Sequence, residues 1–112
     1  MIEVPTIEVA QVPDPLPEGV TVLDVREPVE WQHGHIEGAV HIPLTQIPDR
    51  SGELPVDQQL LVVCKVGGRS SQATAFLREK GFEAINLAGG MIDWAGAGRP
   101  MVGEGPGDPL VV

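Results

Sequence analysis

Four short runs of apolar and β-branched residues mark the chain, at residues 20–25, 39–42, 60–63 and 84–87. Their apolarity is nearly continuous rather than alternating. Continuous apolarity predicts strands buried on both faces, as in a parallel sheet covered by helices. Between the last two runs the period changes. Ala73, Phe76, Leu77 and Lys80 recur at helical spacing and predict a helix over residues 70–80 with an apolar stripe toward the sheet. Ser70 or Ser71 is expected to cap its start and Gly81 to supply a left-handed C-cap. Arg78 and Lys80 fall in the last turn, where cations favour the helix dipole. Strands alternating with helices predict a three-layer α/β domain with right-handed crossovers.

Two Pro/Gly-rich stretches flank this pattern. Val12-Pro13-Asp14-Pro15-Leu16-Pro17-Glu18-Gly19 joins a short apolar start, residues 2–9, to the first strand. Residues 98–112 read as a tail draped on the surface, with Leu110-Val111-Val112 free to dock. With 112 residues and no internal repeat, the chain is expected to be one domain with its core at about residues 20–100.

Composition narrows the class: 42% hydrophobic and 21% charged residues belong to globular proteins. The net charge of −9 repels nucleic acid and anionic lipid, so neither is an expected partner. No apolar run approaches the roughly 18 residues that span a bilayer. Cys64 is the only cysteine, which excludes an internal disulfide, and Met1-Ile2-Glu3-Val4-Pro5 lacks the features of a signal peptide. The expected location is the reducing cytoplasm.

The chemistry concentrates in Leu60-Leu61-Val62-Val63-Cys64-Lys65-Val66-Gly67-Gly68-Arg69-Ser70, a buried strand that ends at a cysteine, turns through glycines and enters a helix. Backbone N–H groups of such a turn and first helical turn lack intrahelical partners and point at the loop centre. The group at that centre is sulfur. A free thiol titrates near ~8.5, so a mostly ionised Cys64 at neutral pH needs roughly 2.7 kcal/mol of differential stabilisation. The helix N-terminus is expected to supply up to ~2 kcal/mol, and Lys65 and Arg69 a further ~1 to 3 kcal/mol. A cysteine after an apolar strand is more often only a small buried hydrophobe. Glycines at 67 and 68 with cations at 65 and 69 set this one apart.

Cys64-Lys65-Val66-Gly67-Gly68-Arg69 resembles the six-residue active-site loop of the rhodanese family, with Lys65 in place of the usual arginine. Lysine keeps the charge but lacks the planar fork that binds an oxyanion through two bonds. Leu23-Asp24-Val25-Arg26-Glu27, with Glu30-Trp31 and His35-Ile36-Glu37-Gly38-Ala39-Val40-His41-Ile42-Pro43, is similar to the family's first signature. Asn86-Leu87-Ala88-Gly89-Gly90-Met91-Ile92-Asp93-Trp94 is similar to its last. The resemblance implies a three-layer rhodanese-like fold, a mostly parallel five-stranded sheet flanked by helices. It also implies a sulfurtransferase that needs no cofactor, because the sulfur travels as a covalent persulfide on Cys64. In that reading Cys64 is the nucleophile and the backbone of Lys65, Val66, Gly67, Gly68 and Arg69 holds the persulfide. The Lys65 and Arg69 side chains attract a small anionic donor such as thiosulfate, and the acceptor is cyanide, a thiol or a sulfur-acceptor protein.

Asp24 and Arg26 are expected to form an ion pair or anchor loops near the site, and His35 and His41 to hydrogen-bond those loops. Gly38, Gly89 and Gly90 are assigned to turns or close packing and Trp94, three residues after Met91, to the core. His33, His35 and His41 match no structural zinc spacing, so no metal is expected. Two other classes share features of the loop. A non-enzymatic sulfur-relay or partner-binding module would keep the cysteine without rapid turnover of small donors. A cysteine phosphatase or arsenate reductase also uses a strand, loop and helix cradle, but the phosphatase motif places five residues between cysteine and arginine, against four between Cys64 and Arg69.

Overall fold

The computed structural model describes residues 4–112. Its strands are β1 (Thr6–Ile7), β2 (Val20–Asp24), β3 (Val40–His41), β4 (Gln59–Val63) and β5 (Glu83–Leu87), and its α-helices are α1 (Pro28–His33), α2 (Ile47–Arg50), α3 (Gly68–Glu79) and α4 (Gly90–Gly96). Among the described residues the strands form one sheet in the order β1-β5-β4-β2-β3, with every pairing parallel.

Burial on both faces of the sheet explains the unbroken apolar runs. Along β4 and just past it, Leu60, Val62 and Cys64 join one buried cluster with Ala73 and Leu77 of α3, while Leu61 and Val63 join the other with Met91 and Trp94 of α4. The side-chain period of two thus separates two cores rather than core from solvent. Cys64 lies on the α3 side, and Trp94 is a core residue as expected.

Helix α3 departs from expectation at its start. It begins at Gly68, with Gly67 at the cap position in a left-handed conformation (φ 116°) and no side-chain cap. Ser70 and Ser71 therefore do not cap the helix; both lie within it, and Ser70 is fully buried. Only glycine takes the Gly67 conformation without strain, which lets the chain turn from loop to helix three residues earlier than capping by Ser70 would. The other end agrees with expectation. Gly81 (φ 93°) closes the helix, with Gly81 N–H bonded to Arg78 O (3.1 Å) and Phe82 N–H to Leu77 O (3.0 Å). Those two bonds, with Leu77 and Phe82 in one apolar cluster, make a Schellman motif.

The apolar start contributes β1, which adds an edge strand beside β5; residues 2 and 3 of that start lie outside the described residues. The tail returns along α1. Val102 and His35 form an antiparallel bridge, Glu104 N–H bonds Gln32 O, Leu110 N–H bonds His33 O, and Val111 packs on the α4-side core. No helix among the described residues is long and apolar enough to cross a membrane.

Candidate active site

In a parallel sheet the strand ends that share a direction gather loops into one place, and the carboxyl ends are where sites form in open α/β sheets. At this edge β2 delivers Asp24 and Arg26, β4 delivers Cys64, and β5 leads into Gly89 and Gly90. Cys64 Sγ accepts a hydrogen bond from Gly67 N–H at 3.0 Å and one from the Ser70 hydroxyl at 3.3 Å. The loop is held from below as well: Cys64 O accepts from Met91 N–H (2.8 Å) and Lys65 O from Ile92 N–H (3.0 Å), so the first turn of α4 braces the cysteine loop. Gly90 permits that approach. A Cβ at position 90 would stand 2.3 Å from Cys64 O and 2.7 Å from the Lys65 carbonyl, and its φ of +54° is left-handed.

Burial raises the pKa of the Cys64 thiol, but hydrogen bonds from the Ser70 hydroxyl and from the amides of Ser70, Gly67 and Val66 outweigh it and leave the thiol below its ordinary value. The expected contribution of the loop cations needs correction. Arg69 is turned to Glu30 of α1, with Nη1–Oε1 and Nη2–Oε2 contacts of 2.7 and 2.9 Å. The leading causes of the depressed thiol are the hydroxyl and the amides rather than a guanidinium aimed at sulfur. Arg69 hydrogen bonds hold Glu30 at about 2, against partial burial that pushes it up. Lys65 is half-exposed and has no ion-pair partner among the described residues.

Asp24 and Arg26 form a fully buried ion pair at 2.8 Å, and Arg26 Nη2 also donates to Gly34 O at 2.7 Å, tying the end of β2 to the end of α1. The pair anchors backbone and makes no bond to Cys64. His35 Nδ1 donates to Trp31 O (2.8 Å) and His41 Nε2 to Arg26 O (2.7 Å), with both rings stacked on Trp31 at centroid distances of 3.5 and 4.7 Å. Among the described residues no group of three or more His, Cys, Asp or Glu side chains is placed to hold a metal ion.

Three participants escaped the sequence reading. In the sequence Glu30 and Asn86 stand only within the family-like signatures, and Ser70 only as a candidate cap at the end of the cysteine segment. Each acts through a side chain brought from another element, and only Ser70, which lies in the same continuous segment as Cys64, carries a local signal.

The arrangement defines a class: an α/β protein with one thiol in an amide-lined loop between a buried strand and a helix. Its membership follows from comparison. The profile of the Rhodanese-like domain matches residues 8–97, and the chain belongs to that family. A sulfurtransferase of Allochromatium vinosum is 41% identical over 86 residues, covering 76% of this chain and 80% of that protein. A putative sulfur carrier protein, YrkF, of Bacillus subtilis is 40% identical over 80 residues, covering 70% of this chain and 43% of that longer protein. Among solved structures, a rhodanese-related protein from Thermoplasma volcanium superposes with a TM-score of 0.82 at 33% identity, covering 88% of this chain and 97% of that one. These likenesses, and the all-parallel five-stranded sheet with flanking helices, establish the rhodanese fold and a role in sulfur transfer in the general sense.

Proposed function

We propose that the protein is a sulfurtransferase that carries sulfane sulfur as a persulfide on Cys64, taking it from a small anionic donor such as thiosulfate and passing it to cyanide or a thiol. The observation that carries this reading is the Gly67 N–H at 3.0 Å from Cys64 Sγ, in a loop whose amides favour an anionic sulfur. The Cys64 thiolate attacks the sulfane sulfur of thiosulfate. The S–S bond of the donor breaks and sulfite leaves with the bonding pair. The acceptor then attacks the outer sulfur of the Cys64 persulfide, whose S–S bond breaks to return the thiolate. The backbone of Lys65, Val66, Gly67, Gly68 and Arg69 surrounds the persulfide, the Lys65 ammonium attracts the donor, and no cofactor takes part. A reducing cytoplasm would keep Cys64 available as a thiol between turnovers.

The likeness to a sulfur carrier favours a second reading, a relay that hands sulfur to a partner protein. A cysteine phosphatase is disfavoured by Arg69, which is committed to Glu30 rather than turned into the loop to meet a phosphoryl group.

Intact mass after exposure to thiosulfate tests the proposal. Wild type gains about 32 Da and loses it to cyanide, whereas Cys64→Ser gains nothing. No adduct on wild type with thiosulfate or with a persulfide donor would overturn the reading. Persulfide removal by a protein acceptor much faster than by cyanide would select the relay.

A further inference from the structure

The Ser70 hydroxyl stands between two groups that both call on its proton. It is 3.3 Å from Cys64 Sγ and 2.5 Å from Asn86 Oδ1 of β5. Ser70 is fully buried and Asn86 nearly so (0% and 6% exposed), so water does not mediate between them. Helix α3 holds the Ser70 backbone, with Thr74 Oγ1–H bonded to the Ser70 backbone carbonyl at 2.7 Å.

A hydroxyl donates one proton and accepts on its lone pairs, while a carboxamide offers a carbonyl at one end and an amine at the other. The two ends differ by a half-turn of the side chain. With the Asn86 oxygen toward Ser70, the hydroxyl donates to Asn86 and accepts from a Cys64 S–H. With the amine toward Ser70, Asn86 donates to the hydroxyl and the hydroxyl donates to a Cys64 thiolate. The chain therefore runs in one direction for the thiol and in the other for the thiolate, and only a side chain with both a donor and an acceptor satisfies both.

We infer that Asn86 is a positioning residue for Cys64, whose carboxamide reverses the hydrogen-bond chain through Ser70 as the sulfur changes charge and so supports the anionic form on which sulfur transfer depends. The assignment rests on the proposed role of Cys64 but is tested apart from it. The charged groups on the surrounding elements are Lys65 on the loop, Arg69 of α3 with Glu30 of α1, Asp93 of α4, and the Asp24–Arg26 pair at the end of β2. None of them replaces Ser70, whose hydroxyl is the side-chain donor within reach of Sγ.

The test is the thiolate titration of Cys64, followed by ultraviolet absorbance or by pH-dependent alkylation, and read cleanly because Cys64 is the only cysteine. Asn86→Asp keeps the shape but accepts only, so it holds the Ser70 proton away from sulfur. Its midpoint is expected to rise by about one unit, a roughly tenfold loss of thiolate below the midpoint. In a Ser70→Ala background the same substitution is expected to shift the midpoint much less. Asn86→Leu, uncharged, removes the donor to Ser70 and is expected to shift it upward by a smaller amount. Equal Asn86→Asp shifts in both backgrounds would assign the effect to charge through space and overturn the inference, as would a wild-type midpoint in the Asp or Leu variant. The titration uses no sulfur donor, so a wild type that titrates as described yet takes no sulfur refutes only the proposed function.

Discussion

Glu30 and Arg69, 39 residues apart, meet in a two-pronged ion pair that holds the last residue of the cysteine loop against α1. The pair orders the helix start but takes a cation from the donor's path. In a chain of net charge −9, Lys65 is left as the loop cation without an acidic partner among the described residues. Glu30→Gln keeps the shape and a hydrogen bond while removing the negative charge. Its kcat/KM with thiosulfate is expected to rise on the order of tenfold, because an anionic donor gains a second cation at intermediate dielectric. Alkylation of Cys64 by an uncharged reagent should stay within about twofold. A fall in kcat/KM with unchanged alkylation would show that Arg69 must be held by Glu30 to serve the donor.

The same pair makes stability depend on acid. The Glu30 carboxyl is held at about 2 in the folded chain, below its unfolded value of ~4.3, so the folded state binds fewer protons as pH falls into that window. The stabilisation is fully present above the unfolded value and is lost as pH falls from about 4.3 through about 2. Because Arg69 is 35% exposed, solvent screens the pair and its contribution is on the order of 1 kcal/mol. Urea unfolding at pH 6 and pH 3 on wild type and Glu30→Gln measures it: the difference between the two proteins should shrink at the lower pH. A constant difference would mean that the pair adds nothing.

Gly90 is where α4 meets the cysteine loop. Gly90→Ala places a methyl 2.3 Å from Cys64 O and adds a side chain at a left-handed φ, so either the loop or the start of α4 must move. The expected cost is about 2 to 4 kcal/mol of stability, with loss of the Met91 N–H to Cys64 O bond and of sulfur transfer. Gly68→Ala is the control, since a Cβ there meets nothing within 4 Å. Activity that survives Gly90→Ala but not Gly68→Ala would contradict this account of the loop.

Features with a local cause were legible in the sequence. The strands at residues 20–24, 59–63 and 83–87 lie within one residue of the apolar runs that predicted them, because burial on both faces writes itself as continuous apolarity. The C-terminal end of α3 was legible for the same reason: Gly81 and Phe82 sit beside the turn they close. Its start was not, because Gly67 reaches a left-handed conformation that pattern alone does not reveal and that displaces serine from the cap. Strand β1 has two residues and exists by virtue of its partner β5, so no period announces it. Of the site, the Cys64 loop was visible as a continuous string. The Glu30–Arg69 and Ser70–Asn86 pairs were hidden, since which side chains meet across 39 or 16 residues is decided by the sheet order and not by either segment.

The tail offers a test free of backbone strain. Gly34 ends α1 at φ 176°, an extended conformation open to any residue, yet a Cβ there would lie 2.6 Å from Met101 Cε and 2.7 Å from Leu110 O. Any effect of Gly34→Ala is therefore steric and falls on the returning tail. The Leu110 N–H to His33 O bond is expected to break, and overpacking against the tail costs on the order of 1 to 3 kcal/mol if the tail stays in place. If the tail instead lifts away, its amides exchange faster while the global unfolding free energy changes by less. Hydrogen exchange at Leu110 and Val102, read beside urea unfolding, separates the two routes. A variant unchanged by both measurements would show that the tail does not pack on α1 in solution.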